Sequence, residues 1–168
     1  KVPQMADTEI LFEHFRGLGG KPGAAKLSAL VLNEKGLERG LKCGVEIFCM
    51  GSSASETHSR ENTGMGSDEA AVRIAAMARE ALKAGRTVQA SVQSSFGCGY
   101  EGHVPAEKVL AIVKKYLDAG VRNVGLSDTA GHANPHQVGE LFLAVAKLDP
   151  TAGLSCHFHN AYALGLAN

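Results

Sequence analysis

Apolar residues occur along this chain both as short continuous runs and as stripes at helical spacing, and their alternation predicts repeated strand–helix units. The runs predict five β-strands, at 27–32, 44–50, 87–94, 123–128 and 153–159. The stripes predict helices at 8–15, 34–39 and 68–84, a helix opened by Pro105, a helix that starts at Asn134 and Pro135, and a last one that begins at Tyr162. Gly17, Gly40, Gly85 and Gly120 are predicted to end helices, Ser67 to cap the third, and the polar stretch 51–66 to be a loop.

Strands that alternate with helices predict parallel βαβ units, which form either an open doubly wound sheet or a (β/α)₈ barrel. A doubly wound sheet is covered, and therefore apolar, on both faces. The strand at 87–94 instead carries Gln89, Ser91 and Gln93 on one face, and the last strand carries Ser155, His157 and His159 on one face. These polar faces favour a barrel with a hydrated interior. Because a complete barrel has about 250 residues, we expect the fold class α/β, a partial (β/α)₈ TIM barrel that forms a single domain over 1–168.

Composition and charge narrow the functional class. The 168 residues include 17 Lys plus Arg and 17 Asp plus Glu, so the formal net charge is zero, and 45% are hydrophobic. The balanced charge argues against general nucleic-acid binding, and no apolar run approaches the roughly 20 residues that a membrane helix needs. Cys43, Cys49, Cys98 and Cys156 lie far apart without a C-x-x-C spacing, which predicts reduced thiols and a cytoplasmic location.

The pair His157 and His159 is the main candidate for a metal site. Two histidines at i and i+2 on a strand place both imidazoles on one face, within reach of one divalent ion. Asp128, at the end of the preceding strand, strengthens this interpretation. The alternative is structural: two polar histidines that line the mouth of a barrel, and an aspartate that stabilises a turn. Spacing alone leaves Zn²⁺, Mn²⁺ and Mg²⁺ open.

The glycine-rich loop at 97–103 is not a P-loop, because it lacks the Gly-Lys-Ser/Thr ending. It is either a flexible connection or a loop over the barrel mouth that contacts substrate. No basic partner for Cys98 is identifiable, so a bystander role is favoured over a nucleophilic one. His103 and His132 follow strands and are expected near the mouth.

Five segments, in this order along the chain, carry a resemblance to a known family. They are Val2-Pro3-Gln4-Met5, Ala54-Ser55-Glu56, Phe96-Gly97-Cys98-Gly99-Tyr100-Glu101-Gly102, Ser127-Asp128-Thr129 and His157-Phe158-His159-Asn160. With them the chain resembles the 3-hydroxy-3-methylglutaryl-CoA (HMG-CoA) lyases of the DRE-TIM metallolyase superfamily over nearly its whole length. The first and third segments are the most specific to the lyases, and the last is shared with isopropylmalate and homocitrate synthases.

The resemblance implies a (β/α)₈ barrel of which this chain holds strands three to seven. It also implies a divalent cation, Mg²⁺ or Mn²⁺ with Zn²⁺ as a further possibility, a CoA thioester substrate, and a homodimer at full length. His157 and His159 match the family's metal-binding histidines, and Asp128 matches the acidic residue of the sixth strand at the reaction centre. The implied reaction cleaves HMG-CoA to acetyl-CoA and acetoacetate, as in leucine degradation and ketone-body formation.

Several family features are absent from the sequence. The first-strand Arg-Asp-Gly motif, the second-strand Glu, the eighth-strand Cys loop and the Asn metal ligand do not occur, so we expect the 168 residues alone to be inactive. Three local departures concern the substrate more than the fold. Gly99 stands where the lyases usually have Pro, Gly125 where Ser is common, and Asn160 where many lyases have Asp. A Claisen-type synthase and a non-catalytic α/β binding module are the alternative functions.

Overall fold

The computed structural model of the protein describes residues 6–18 and 25–168, so the predicted Val2–Met5 motif lies outside the described residues. Helices and strands alternate as the sequence predicts. They are α1 (Thr8–Leu18), β1 (Ser28–Leu30), α2 (Glu34–Cys43), β2 (Ile47–Ser53), α3 (Glu56–Thr63), α4 (Ser67–Lys83), β3 (Thr87–Gln93), α5 (Ala106–Asp118), β4 (Asn123–Asp128), α6 (Pro135–Leu148) and β5 (Gly153–Phe158).

The five strands form one parallel sheet in the order β1-β2-β3-β4-β5. In a doubly wound sheet the strand order reverses at a switch point, whereas here each strand lies beside its neighbour in the chain. On β2, β3 and β4, one face carries mainly apolar side chains, which are buried against helices. The opposite face is mainly polar on β3 and β5, is only partly buried, and carries Ile47 and Cys49 on β2. Sequential order and a polar inner face define a partial (β/α)₈ barrel, as predicted.

The hydrophobic core lies between the sheet and its helices, chiefly α4, α5 and α6. Its buried members include Phe48, Met50, Ile74, Met77, Val88, Val92, Val109, Val113, Tyr116, Val124, Leu126, Leu141 and Val145. The Tyr116 hydroxyl is hydrogen-bonded to the buried Ser52 hydroxyl at 2.7 Å, which pairs both polar groups inside the core. This layer fixes the strands, and with them the strand ends that carry the polar residues.

The start of α4 corrects the prediction for Ser67. Gly66 occupies the capping position and offers no side chain, whereas Ser67 is the first helical residue. The Ser67 hydroxyl donates to the Ser53 carbonyl, and its N–H donates to the Glu56 carboxylate at 2.8 Å. A carboxylate from α3 therefore satisfies the first turn of α4 and complements its dipole.

Other boundaries also differ from the predicted ones. Helix α1 continues through Gly17 to Leu18, and α2 continues through Gly40 to a left-handed cap at Gly44, with φ 77°. Strand β2 extends to Ser53, and the predicted polar loop contains α3. The predicted last helix is absent, since the described residues from Tyr162 onward form turns. No helix in the described parts of the chain is long and apolar enough to cross a membrane.

Candidate metal centre

His157 and His159 lie together at the carboxyl end of β5. His157 is aligned with Ser127 of β4 on the polar inner face, and His159 follows the strand by one residue. The centroids of the two imidazoles are 5.0 Å apart, with the ring planes inclined by 72°, and both side chains are exposed. The structure thus brings the predicted pair to one place, at the end of the barrel where (β/α)₈ enzymes carry their chemistry.

The tautomer of His159 follows from one contact. Its Nδ1 lies 2.7 Å from the backbone carbonyl oxygen of Thr129. A carbonyl oxygen only accepts hydrogen bonds, so Nδ1 carries the hydrogen and donates it. The lone pair of the neutral ring is then on Nε2. An imidazole held through one nitrogen by a carbonyl, with the other nitrogen free, is the usual arrangement of a metal-ligating histidine.

Asp128 lies in the setting that the sequence analysis gave as the structural alternative, an aspartate that stabilises a turn. It is aligned with Phe158 on the helix-facing side of the sheet, is completely buried, and accepts hydrogen bonds from two backbone N–H groups. These are His132 N at 2.9 Å and Ala133 N at 3.0 Å. The Asp128 carboxylate therefore fixes the turn that follows β4. Within the described parts of the chain, no group of three or more His, Cys, Asp or Glu residues is arranged to hold a metal ion.

Sequence reasoning missed the importance of Thr129. Besides its carbonyl contact with His159, its hydroxyl oxygen accepts a hydrogen bond from Ser94 N at 2.9 Å. Ser94 is buried and has φ 54°, a left-handed conformation that non-glycine residues rarely adopt. The Ser127-Asp128-Thr129 motif pointed to this turn, but only the fold shows that β3 supplies its partner.

Small polar residues line the inner face below the histidines. Gly51, Ser91, Gly125 and Ser155 occupy one row across four strands. Gln89 Nε2 donates to Ser155 Oγ at 3.0 Å, across the intervening strand. A Cβ at Gly125 would lie 3.1 Å from Ser155 Oγ, so a larger residue at this position would meet a tight space. The inner face below the histidines is thus lined by glycine and serine residues that approach one another closely.

The glycine-rich loop is anchored on both sides of Cys98. Cys98 and Gly102 exchange backbone hydrogen bonds, and the Glu101 carboxylate accepts from Thr57 N at 2.6 Å. Burial alone would raise the pKa of the Cys98 thiol. Hydrogen bonds from Ser55 and from the backbone of Glu101 and Tyr100 outweigh burial and lower it. The thiol is buried, which agrees with the predicted bystander role rather than with an accessible nucleophile.

The two loop histidines that follow strands lie in separate surroundings. The His132 ring is 5.5 Å from the Tyr162 ring, and a Cβ at Gly97 would lie 3.0 Å from its Nδ1. His103 lines a groove of about 330 Å³ together with Phe96 and Leu141, between α5 and α6. Neither joins the His157–His159 pair in a metal-holding group of the described residues.

A partial (β/α)₈ barrel with an imidazole pair at its carboxyl end defines the class of protein as a TIM-barrel protein with a candidate metal site. The sequence model of the HMGL-like family matches residues 1–168, and the chain belongs to this family. The hydroxymethylglutaryl-CoA lyase YngG of Bacillus subtilis is 36% identical over 84% of this chain and 47% of its own length.

Solved structures agree with this membership. The lyase of Pseudomonas aeruginosa superimposes with a TM-score of 0.86 at 30% identity, over 99% of this chain and 54% of its own. The HMG-CoA lyase of Acinetobacter baumannii, solved with coenzyme A and 3-methylmalate, superimposes with a TM-score of 0.85 at 32% identity. The match covers 99% of this chain and 53% of that enzyme. This chain therefore spans about half the length of the relatives it matches. The comparisons confirm the predicted family and the TIM-barrel fold.

Proposed function

We propose that this chain is the part of an HMG-CoA lyase that carries strands three to seven and two of its metal ligands. The complete enzyme would cleave HMG-CoA to acetyl-CoA and acetoacetate. The observation that carries the proposal is the imidazole pair at the barrel mouth, with His159 held through Nδ1 and its Nε2 left free. Membership of a family whose named relatives are HMG-CoA lyases supports the same reaction.

His157 and His159 supply part of the ligand set that a divalent cation needs. Imidazole nitrogen suits Zn²⁺, whereas Mg²⁺ and Mn²⁺ prefer oxygen, so a site for either of these two ions needs oxygen ligands beside the two imidazoles. His157 and His159 would hold the ion, and oxygen ligands from beyond the described residues would complete it. We propose Mg²⁺ or Mn²⁺, with Zn²⁺ as a further possibility. When bound, the cation supplies Lewis-acid stabilisation of negative charge on substrate oxygens.

Residues of this chain would bind and orient the substrate. In the reaction, the hydroxyl of the substrate loses its proton, the adjacent carbon–carbon bond breaks, and the thioester fragment leaves as an enolate that is then protonated. The row of Gly51, Ser91, Gly125 and Ser155 lies on the same face as His157, and its hydroxyl groups would contact the acyl group.

The role of Asp128 stays a prediction. Its two carboxylate oxygens hold His132 N and Ala133 N, and the turn that they fix includes Thr129, the partner of His159. This position supports an indirect role for Asp128, which would affect the reaction by holding the turn that orients His159. In the complete enzyme we expect Asp128→Asn to reduce kcat, because its amide –NH₂ would face one of the two backbone N–H donors and lose that hydrogen bond.

The test uses the complete polypeptide from the full reading frame, with acetoacetate release and bound metal as measurements. We expect the variant His157→Ala/His159→Ala to lose both, because it lacks two ligands. His136→Ala is the matched control, since His136 is an exposed histidine of α6 that pairs with Glu140. A double variant that retains wild-type metal content would refute the metal site, and one that retains lyase activity would refute its role. The predicted inactivity of the 168 residues alone is measured in the same assay.

One observation favours a second candidate. Asn160 stands where many lyases have Asp, and its side-chain oxygen accepts from Gly165 N at 2.9 Å, which fixes the segment beyond the histidines. In having an amide side chain at this position, the chain is closer to the Claisen-type synthases than to those lyases. Consumption of acetyl-CoA with a 2-oxo acid, without acetoacetate release from HMG-CoA, would identify a synthase. If the protein showed neither lyase nor synthase activity and bound no metal, the non-catalytic binding module would be the remaining interpretation. The homodimer and the cytoplasmic location stay predictions.

A further inference from the structure

We propose that Thr129 is a positioning residue that sets the tautomer and orientation of His159 for metal binding. The inference rests on the proposed metal site and assigns a role that the histidine pair by itself does not reveal. Thr129 makes two contacts in different directions. Its carbonyl accepts the Nδ1 hydrogen of His159 at 2.7 Å, and its hydroxyl oxygen accepts from Ser94 N at 2.9 Å.

The Ser94 contact connects Thr129 to the rigid part of the sheet. Ser94 directly follows β3, and the next residue, Ser95, donates its N–H to Ser127 O at 3.0 Å and its hydroxyl to Val92 O at 2.7 Å. The end of β3 is therefore bonded to the end of β4 at two successive residues. Because Ser94 and Ser95 are buried, these bonds are shielded from competing water.

The conformation of Ser94 depends on the same contact. At φ 54° its backbone is strained, and its N–H points at the Thr129 hydroxyl rather than along the regular ladder. Removing that hydroxyl would leave a buried N–H without an acceptor, which is unfavourable. Relaxation of Ser94 would release Thr129, and with it the carbonyl that holds His159.

The consequence concerns the nitrogen that faces the ion. A neutral imidazole without a fixed partner samples both tautomers and several ring orientations, whereas the Thr129 carbonyl selects the form with the lone pair on Nε2. Loss of such an outer partner typically weakens metal binding by about 10- to 100-fold. The Asp128 contacts hold the far side of the turn and do not replace the Ser94 bond.

Three variants of the complete protein separate this role from general damage. Thr129→Val keeps the shape and removes the hydroxyl, and Thr129→Ser keeps the hydroxyl as a conservative rescue. Thr87→Val is the matched control, because Thr87 is exposed at the opposite end of β3. Imidazole ¹⁵N NMR of the metal-free protein at mildly alkaline pH reports the His159 tautomer. Calorimetric titration with Mn²⁺ reports affinity.

We expect the Nδ1-protonated form of His159 in the wild type, in Thr129→Ser and in Thr87→Val, and a mixture of tautomers in Thr129→Val. Mn²⁺ affinity should fall about 10- to 100-fold in Thr129→Val only. An Nε2-protonated His159 in the wild type would overturn the inference without any variant, even if Thr129→Val failed to fold. Unchanged tautomer and affinity in Thr129→Val would also overturn it. Absence of Mn²⁺ binding by the wild type would instead refute the proposed metal site, while the NMR result still decides the role of Thr129.

Discussion

At the scale of single residues, buried polar groups in this protein have partners that come from distant parts of the chain. Tyr116 of α5 is completely buried, and its hydroxyl bonds to Ser52 of β2 across the core. Burial raises the pKa of Tyr116 far above its ordinary value, and the bonds with Ser52 offset this only in part. The phenol is therefore neutral in the folded protein, and its role is structural.

We expect Tyr116→Phe to destabilise the protein by about 1 to 2 kcal/mol, because it leaves the Ser52 hydroxyl buried without a partner. Urea unfolding measures the free energy. The double variant Ser52→Ala/Tyr116→Phe removes both polar groups and should recover part of the loss. If the double variant loses the full sum of the two single changes, the hydrogen bond contributes nothing.

At the scale of elements, packing decides where helix α2 ends. Gly40 looked like a helix terminator, but it lies inside α2, where an added Cβ would be 2.6 Å from Phe48 Cε1 of β2. The glycine lets the helix approach the sheet closely. The helix ends only at Gly44, where the left-handed conformation is needed.

Glycine-to-alanine changes at two helical positions should therefore have opposite effects. Gly40→Ala should cost about 1 to 3 kcal/mol of unfolding free energy, because overpacking outweighs the better helix propensity. Gly139→Ala in α6, where an added Cβ meets nothing within 4 Å, should stabilise by roughly 0.5 to 1 kcal/mol. Thermal unfolding compares the two. A neutral Gly40→Ala would contradict the close approach.

The first turn of helix α3 is hydrogen-bonded to a carboxylate of the glycine-rich loop. Glu101 accepts from Thr57 N in the first turn, and this contact is the main cause that lowers the pKa of Glu101 below its ordinary value. A carboxyl with a lowered folded pKa stabilises the folded state fully above its unfolded pKa, and the contribution is lost as pH falls through the folded value. The contact thus joins the glycine-rich loop to α3 at neutral pH.

Hydrogen exchange at Thr57 N tests this dependence. In the wild type we expect protection of this amide to weaken as pH falls below about 4, where carboxylates protonate. Glu101→Gln keeps a neutral acceptor and should remove most of that pH dependence, with a loss of about 0.5 to 1 kcal/mol of local stability at neutral pH. The nearby Glu56 remains in both proteins. Glu61→Gln, on α3 itself, is the control. Equal pH profiles in the wild type and Glu101→Gln would exclude the contact as the cause.

At the scale of the whole molecule, the sheet has two edges and one incompletely covered face. The outer faces of β2, β3 and β4 are buried under helices, whereas on β5 Leu154 and Cys156 are exposed. Open strand edges and uncovered apolar faces are the parts of a sheet that associate with other chains. The 168 residues by themselves therefore present a surface suited to self-association.

We expect the purified 168-residue chain to associate, and Leu154→Lys to weaken the association about tenfold, because it places a charge on the uncovered face of β5. Sedimentation velocity over a range of concentrations measures the constant. Leu143→Lys is the matched control, since Leu143 is an exposed leucine of α6. Equal weakening by both changes would show that the β5 face is not the contact.

The sequence by itself determined the five strands, their parallel arrangement, the polar inner face and the histidine pair. These features depend on local periodicity and on chain order, which a sequence displays directly. The sequence did not predict helix α3, because this helix is short and polar and has no apolar stripe, although Ser55 is a typical N-cap residue. The tertiary structure alone decided that Gly40 stays inside a helix, that Asp128 faces two backbone N–H groups, and that Thr129 links Ser94 to His159. Each of these depends on contacts between segments that only packing brings together, so no local pattern contains them.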